Sequence, residues 1–212
     1  MIIYIVFFSI KGHIYKLAEA VAEGARSVDG ASVKIFRAAD IVPDKVLEKR
    51  GSTNARNSFA HIPIIAASEL AAADAVIFGT PTKTGTMASP MRSLLDETGS
   101  LWADGALNGK VGSVFTSTMG HEGGHESALT SFHVTLLHLG MIIVGVPYCE
   151  NRLLSMQTVS GRTPYGISGI VGSDGILRPD ETEIGIARFQ GQHVAEITRL
   201  LSRGRTLSPS RQ

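Results

Sequence analysis

The feature that most restricts the fold is a regular alternation of short apolar runs with segments of helical periodicity. Apolar runs cover residues 2–8, 74–80, 111–117 and 141–146, and apolar residues at helical spacing follow the first run between positions 14 and 25. Continuous apolar runs of this length are typical of strands that are buried on both faces. Strands that alternate with helices predict an α/β fold, in which a doubly wound parallel sheet has helices on both faces.

A fifth strand and further helices complete this predicted sheet. Residues 32–37 alternate between apolar and polar side chains, which favours a strand near an edge. Helical spacing returns over 127–139 and 181–201, and the polar segment over 147–180 is predicted to be a long connection. We therefore expect one five-stranded domain over residues 1–203 and a flexible tail over 204–212.

The charge and cysteine content exclude several classes of protein. The 212 residues carry 20 Lys and Arg against 19 Asp and Glu, so the net charge of +1 gives no basic surface for nucleic acid. The apolar start is too short to span a membrane and has no signal-peptide pattern. The single cysteine, Cys149, excludes an internal disulfide and is expected to be buried as a small apolar residue. We expect a cytoplasmic protein with no nucleic-acid partner and no integral membrane association.

Glycine and hydroxyl-bearing residues follow three of the predicted strands. They occupy residues 9–13 after the first strand, 80–85 after the third and 117–124 after the fourth. Ligands of open parallel sheets bind beyond the carboxyl ends of the strands. We therefore expect these three loops to meet at one edge of the sheet and to form the binding site.

The first loop, Ser9-Ile10-Lys11-Gly12-His13, limits the nucleotide chemistry that is possible. It contains neither the G-x-G-x-x-G fingerprint of dinucleotide-binding folds nor the G-x-x-x-x-G-K-[ST] loop of ATPases and GTPases. Hydroxyl and backbone N–H donors at a helix N-terminus can hold a phosphate dianion without a cation. An ordinary strand–helix turn capped by Ser9 is the alternative that this loop alone leaves open.

Several longer motifs resemble the WrbA-type NAD(P)H:quinone oxidoreductases of the flavodoxin-like superfamily. The motifs are SIKGHI at 9–14, FGTPTKTGTMASPMR at 78–92, GSLWADGALNGK at 99–110, SVFTST at 113–118, TLLHLGM at 135–141 and RTPYG at 162–166. They follow the family's order and extend over nearly the whole chain. The resemblance implies a flavodoxin-like fold, bound FMN, and two-electron reduction of quinones by NADH or NADPH through ping-pong hydride transfer. It also implies a homotetramer.

The resemblance further implies which residues hold the flavin. The first loop matches the FMN phosphate loop, the loop after the third strand matches the stretch along the isoalloxazine, and the loop from Ser117 matches the border of its pyrimidine side. His138 matches a histidine beside the flavin, where it would assist catalysis, and Trp102 matches an aromatic residue of the substrate pocket. The implied cofactor-binding residues are Ser9, Ile10, Lys11, Gly12, His13, Ile14, Pro81, Thr82, Lys83, Thr84, Gly85, Ser117, Thr118, Met119, Gly120, His121, Glu122 and His138.

Three positions depart from the family pattern. Lys11 stands where a tyrosine often contacts the nicotinamide nucleotide, so we place it in the substrate site and expect it to attract the extra phosphate of NADPH. Thr84 stands where the family usually has phenylalanine, and residues 119–122 form a bulkier loop than the usual glycine-rich one. These departures bear on donor preference and pocket shape more than on FMN binding.

Structural roles compete with functional ones at several positions. His138 lies in an apolar helical stretch, where a histidine is often only structural, and Trp102 could be only a core or interface anchor. His121 and His125 have no carboxylate or cysteine partners at metal-binding spacing, so we predict no metal site.

Three other functions compete with the quinone reductase. A signalling receiver of the same topology needs an acidic residue after the third strand, where this chain has Thr80-Pro81-Thr82. An electron-carrier flavodoxin tends to be strongly acidic for docking, and this chain is nearly neutral. A flavin-bearing regulatory protein remains an alternative, although nothing in the sequence supports direct DNA contact.

Overall fold

The computed structural model describes residues 1–41, 53–120, 123–154, 161–172 and 178–207, and it confirms the α/β fold. The strands are β1 Ile2–Phe7, β2 Ser32–Arg37, β3 Ala75–Pro81, β4 Val111–Thr118, β5 Ile142–Ile143 and β6 Ser168–Ile170. They form one sheet in the order β2-β1-β3-β4-β5, and β6 also pairs with β4. Every one of these pairings is parallel.

Helices cover both faces of this sheet. They are α1 His13–Arg26, α2 Thr53–Asn57, α3 Ser89–Asp96, α4 Gly99–Ala103, α5 His125–His138 and α6 Glu181–Leu207, with 3₁₀ turns at Ala67–Ala72 and Asn151–Leu154. α1 and α6 form the apolar layer on one face. α3, α4, α5 and the first 3₁₀ turn form the layer on the other.

The burial of β1 explains why its sequence is apolar throughout. Ile3, Ile5 and Phe7 belong to the core under α1, whereas Tyr4 and Val6 belong to the opposite core. Because helices cover both faces, both sets of side chains are buried. β2 lies at the edge of the sheet, as its alternating pattern predicts.

Two short strands share the fifth position of the sheet. β5 pairs with β4 at Val111 and Gly112, and β6 pairs with the same edge further along, from Thr116 to Thr118. Between them the chain leaves the sheet. The predicted strand over 141–146 is therefore too long, and the prediction missed β6 inside the connection over 147–180, because a three-residue strand carries too little pattern to recognise.

A buried glutamine joins β4 to the chain on both sides of this interruption. The side-chain amide of Gln190, in α6, donates to Ser113 Oγ at 2.8 Å and to the Val114 carbonyl at 2.9 Å. Its oxygen accepts the N–H of Ile167 at 3.0 Å, and the Ser113 hydroxyl donates to the Val144 carbonyl at 2.6 Å. Hydrogen bonds of this kind are strong in a dry interior, so the interruption is held in a fixed geometry.

Further boundaries differ from the sequence predictions. α6 runs to Leu207, beyond its predicted end at 201, so residues 204–207 are helical, while 208–212 lie outside the described residues. Cys149 is exposed rather than buried, because it lies where the chain has left the sheet. Within the described ranges, no helix combines the length and the apolar character that a membrane crossing requires.

Candidate functional site

The loop between β1 and α1 presents a serine hydroxyl and an uncapped helix N-terminus. Ser9 is 6% exposed, and its Oγ accepts the N–H of Gly12 at 3.1 Å, which leaves the hydroxyl proton available for a ligand. Gly12 precedes α1 with a φ of 88°, and no side chain caps the helix. Its left-handed backbone favours glycine at this position.

This loop has the space that a phosphate group needs. A Cβ built on Gly12 would meet no atom within 4 Å, so the cradle above the first turn of α1 is open. The positive end of the helix dipole lies at this open space. The hydroxyl, the backbone and the cradle therefore fit the phosphate of FMN, and they require no metal ion.

The loop after β3 forms a rigid two-residue turn. Lys83 and Thr86 exchange backbone hydrogen bonds of 2.8 and 2.9 Å, and the two residues between them have positive φ, 48° at Thr84 and 77° at Gly85. Positive φ at both central positions is what a type I′ turn requires. A threonine in this conformation is strained by roughly 1 kcal/mol or more, so its neighbours must hold the turn in place.

Buried threonines fix this turn to the ends of β3 and β4. Thr116 Oγ1 donates to the Thr80 carbonyl at 2.6 Å and lies 3.0 Å from Thr82 Oγ1. Thr80 Oγ1 accepts the N–H of Ala88 at 3.0 Å, and the Ser117 carbonyl accepts the N–H of Thr82 at 2.8 Å. Some of the hydroxyls that the sequence suggested as ligand donors thus hold the two loops together.

The loop after β4 closes onto the same turn. Ser127, in the first turns of α5, donates its hydroxyl to the Gly85 carbonyl at 3.0 Å. A Cβ on Gly124 would lie 3.3 Å from Gly85 Cα, so the two backbones nearly touch. His121 and Glu122, which the resemblance implies in the site, lie outside the described residues. Ser127 was not predicted as a site residue, because only the glycines before α5 indicated that this segment belongs to the site.

The three loops meet as predicted, but His138 and Trp102 are not among them. His138 is the exposed last residue of α5, and the Gly140 carbonyl just beyond it accepts the N–H of Gly109, at the start of β4. β4 has eight residues, about 25 Å of strand, so His138 lies at the opposite edge of the sheet from Thr118. Trp102, 64% exposed, lies in α4, which also precedes the start of β4.

A buried carboxylate secures the strand end beside these loops. Glu183 of α6 is 3% exposed and accepts the backbone N–H groups of Ile170 at 3.0 Å and Asp180 at 3.2 Å. Asp180 in turn accepts the N–H of Glu183 at 2.7 Å, which makes a reciprocal cap of α6. Burial, with a smaller contribution from the Asp180 charge, raises the pKa of Glu183 to about 7, although bonds from Ile170, Asp180 and Gly161 act in the opposite direction.

The raised pKa of Glu183 predicts that the stability of the fold depends on pH. Its pKa is higher in the folded protein than the usual 4.5, so the folded state holds the proton more tightly, and stability is lost as pH rises between about 4.5 and 7. The loss should reach roughly 3 kcal/mol at about 1.4 kcal/mol per pKa unit. Urea unfolding at a series of pH values measures it. Glu183→Gln should remove this contribution, whereas Glu181→Gln, exposed in the same helical turn, should retain it.

Comparisons with known proteins assign this arrangement to a family. The family model described as NADPH-dependent FMN reductase matches residues 8–149. The chain belongs to that family. No group of three His, Cys, Asp or Glu side chains that could hold a metal ion occurs in the described parts of the chain.

Individual relatives agree with the resemblance to quinone oxidoreductases. An NAD(P)H dehydrogenase (quinone) of Aromatoleum aromaticum is 55% identical over 205 residues, which cover 97% of this chain and 99% of the relative. One of Trichlorobacter lovleyi is 56% identical over 200 residues, 94% of this chain and 98% of the relative. A flavodoxin, WrbA-like protein from Agrobacterium tumefaciens has the same fold, with a TM-score of 0.61 and 23% identity over 94% of this chain and 98% of its own. The resemblance drawn from the motifs is confirmed.

Proposed function

We propose that this chain is a flavin-dependent NAD(P)H dehydrogenase (quinone), which reduces quinones with NADH or NADPH. The observation that carries the proposal is the open cradle at Gly12, with the Ser9 hydroxyl beside it at an uncapped helix N-terminus. The high identity to relatives named for this activity over nearly the whole chain supports it. FMN, when bound, supplies the hydride-carrying ring.

The residues of the three loops would bind and orient the cofactor. Residues 9–14 hold the phosphate, and the turn from Pro81 to Gly85 gives a rigid wall for the ring, since its backbone is fixed to β4 and α5. Residues 117–120 border the pyrimidine side, where backbone N–H groups oppose negative charge. The catalytic assistance first expected of His138 requires a second copy of the chain, because His138 lies at the far edge of its own sheet.

A homotetramer would account for exposed apolar residues that lie far from the flavin loops of their own subunit. Trp102, Val134 and Leu137 are 64%, 55% and 61% exposed, on the same layer of the molecule, and large apolar side chains favour burial against a partner. We propose that a second copy covers them, which would also bring Trp102 and His138 toward the site of a neighbouring subunit. Light scattering of the FMN-loaded protein measures the mass, and a monomer would contradict this assembly.

We propose that the two substrates of the reaction bind one after the other at the same position. One face of the flavin ring is open in this proposal, so the nicotinamide donor and the quinone occupy it in turn, with Lys11 contacting the donor. The free, exposed Cys149 is consistent with the reducing cytoplasm, where we place the protein.

The decisive experiment combines binding and kinetics. The purified protein should take up FMN with a change in absorbance, and the loaded protein should oxidise NADH in the presence of benzoquinone. Initial rates at several fixed quinone concentrations should give parallel double-reciprocal lines, because the two substrates exchange at one position. Absence of FMN uptake at high micromolar concentration would reject the function, whereas intersecting lines would reject only the shared position.

A further inference from the structure

An open groove of about 740 Å³ extends from the candidate flavin site along α3. Its volume lies within the range of small-molecule sites. Ile10 of the phosphate loop and Thr84 of the β3 turn line one end of it, so the groove adjoins both loops. The lining residues are Phe8, Ile10, Lys83, Thr84, Thr86, Met87, Ala88, Ser89, Pro90, Arg92, Ser93, Asp96 and Glu97.

The surface of this groove combines apolar side chains with hydroxyl groups. Phe8, Met87 and Ala88 are buried and form its floor, with less than a tenth of each residue exposed. Thr86 and Ser89 are exposed above them, and Ser93 is partly exposed. Because these hydroxyl groups border the buried floor, the groove offers hydrogen-bond partners to a sugar–phosphate chain.

Charges are ordered along the groove. The cations Lys83 and Arg92 lie nearer the flavin loops, and the carboxylates Asp96 and Glu97 lie at the end of α3, farther from them. Within the described part of the chain, the Lys83 ammonium makes no ion pair. Arg92 is bound to Asp96 at 2.8 Å and to Thr135 Oγ1 at 3.4 Å, and its guanidinium has further N–H donors to offer.

From this order we infer that the groove binds the adenosine diphosphate half of the nicotinamide donor. Lys83, in the β3 turn, contacts the phosphate on the nicotinamide side, and Arg92, in α3, contacts the phosphate on the adenosine side, since forked and point cations both bind phosphate oxygens. The hydroxyls of the adenosine ribose point toward Asp96 and Glu97, whose oxygens accept hydrogen bonds, as acidic residues do for ribose in other dinucleotide sites. The inference rests on the proposed function, because the nicotinamide must already lie over the flavin at the Thr84 end.

Two donors that differ only in the adenosine monophosphate part of this half provide the test. NADH carries the adenosine monophosphate group, and reduced nicotinamide mononucleotide lacks it. Arg92→Ala removes one phosphate contact at a surface position, and Ser93→Trp fills the groove. Arg188→Ala is the matched control, because Arg188 is a helical arginine of similar exposure, paired with Glu23 at 2.8 Å on the opposite face.

Arg92→Ala should raise KM for NADH about 10-fold, because one charge-assisted hydrogen bond to phosphate is lost. The kcat with NADH and the kinetics with the mononucleotide should not change. Ser93→Trp should act in the same direction, and Arg188→Ala should change neither donor. Calorimetric titration with ADP gives a readout without turnover: binding to the FMN-loaded protein should weaken about 10-fold in Arg92→Ala.

The outcomes separate this inference from the proposed function. If the wild type oxidises neither donor, the proposed function fails, and the groove assignment with it. If both donors react and Arg92→Ala changes neither of them, only the groove assignment fails. It also fails if Arg92→Ala raises KM for quinone instead, because the groove would then hold the acceptor.

Discussion

Ser9→Ala should weaken FMN binding about 10- to 100-fold. The Ser9 oxygen already accepts the N–H of Gly12, so its proton is directed away from the loop and can be donated to a phosphate oxygen. A hydrogen bond to a charged group contributes about 1.5–3 kcal/mol, and about 1.4 kcal/mol corresponds to a factor of ten in affinity. Titration of the apoprotein with FMN, followed by quenching of flavin fluorescence, gives the dissociation constant.

A serine at the other end of the same helix provides the control for this measurement. Ser27 follows α1 and donates its hydroxyl to the Gly24 carbonyl at 2.7 Å, far from the phosphate cradle. Ser27→Ala should therefore leave the dissociation constant unchanged. If Ser9→Ala also leaves it unchanged, the loop after β1 does not hold the phosphate through this hydroxyl.

Gly191→Ala should destabilise the fold by about 3 kcal/mol or more. Gly191 lies in α6 where this helix crosses α1, and its Cβ would lie 1.9 Å from the Val21 carbonyl oxygen and 3.0 Å from the Ala25 nitrogen. Both atoms belong to the backbone and cannot turn aside, so the two helices would have to separate. The free energy of unfolding from urea denaturation measures the loss.

A second glycine of α6, Gly204, should have the opposite effect on stability when alanine replaces it. A Cβ on Gly204 would meet no atom within 4 Å, so Gly204→Ala adds no overlap. Alanine is favoured over glycine inside a helix by about 1 kcal/mol, and this variant should be slightly more stable than the wild type. Equal effects of the two substitutions would contradict the close approach of α1 and α6.

The close approach also clarifies how the site is supported. α1 carries the phosphate cradle at its start and packs closely on α6 along the rest of its length, through Gly24 and Gly191. α6 in turn holds the end of β6 through Glu183. The loop after β1 and the strand beside the loop after β4 are thus supported by one helix pair, and a change at this crossing should affect flavin binding as well as stability.

The sequence predicted the sheet and the loops because each depended on local pattern. β1 is apolar on both faces, and the alternating β2 reaches the edge of the sheet, as predicted. The loops after β1, β3 and β4 meet at one edge because parallel strands all end there. The resemblance added the family, which the relatives at 55% and 56% identity confirm.

Only the tertiary structure decided the features that depend on pairs of distant residues. Whether the fifth strand is continuous depends on what lies beside β4, and Gln190 provides that contact from a helix at the end of the chain. Whether His138 reaches the flavin site depends on the length of α5, which carries it back across the sheet. Local pattern fixes what a segment becomes, because its own side chains determine which faces need burial. The distances between segments are determined only when those faces pack against each other in the folded chain.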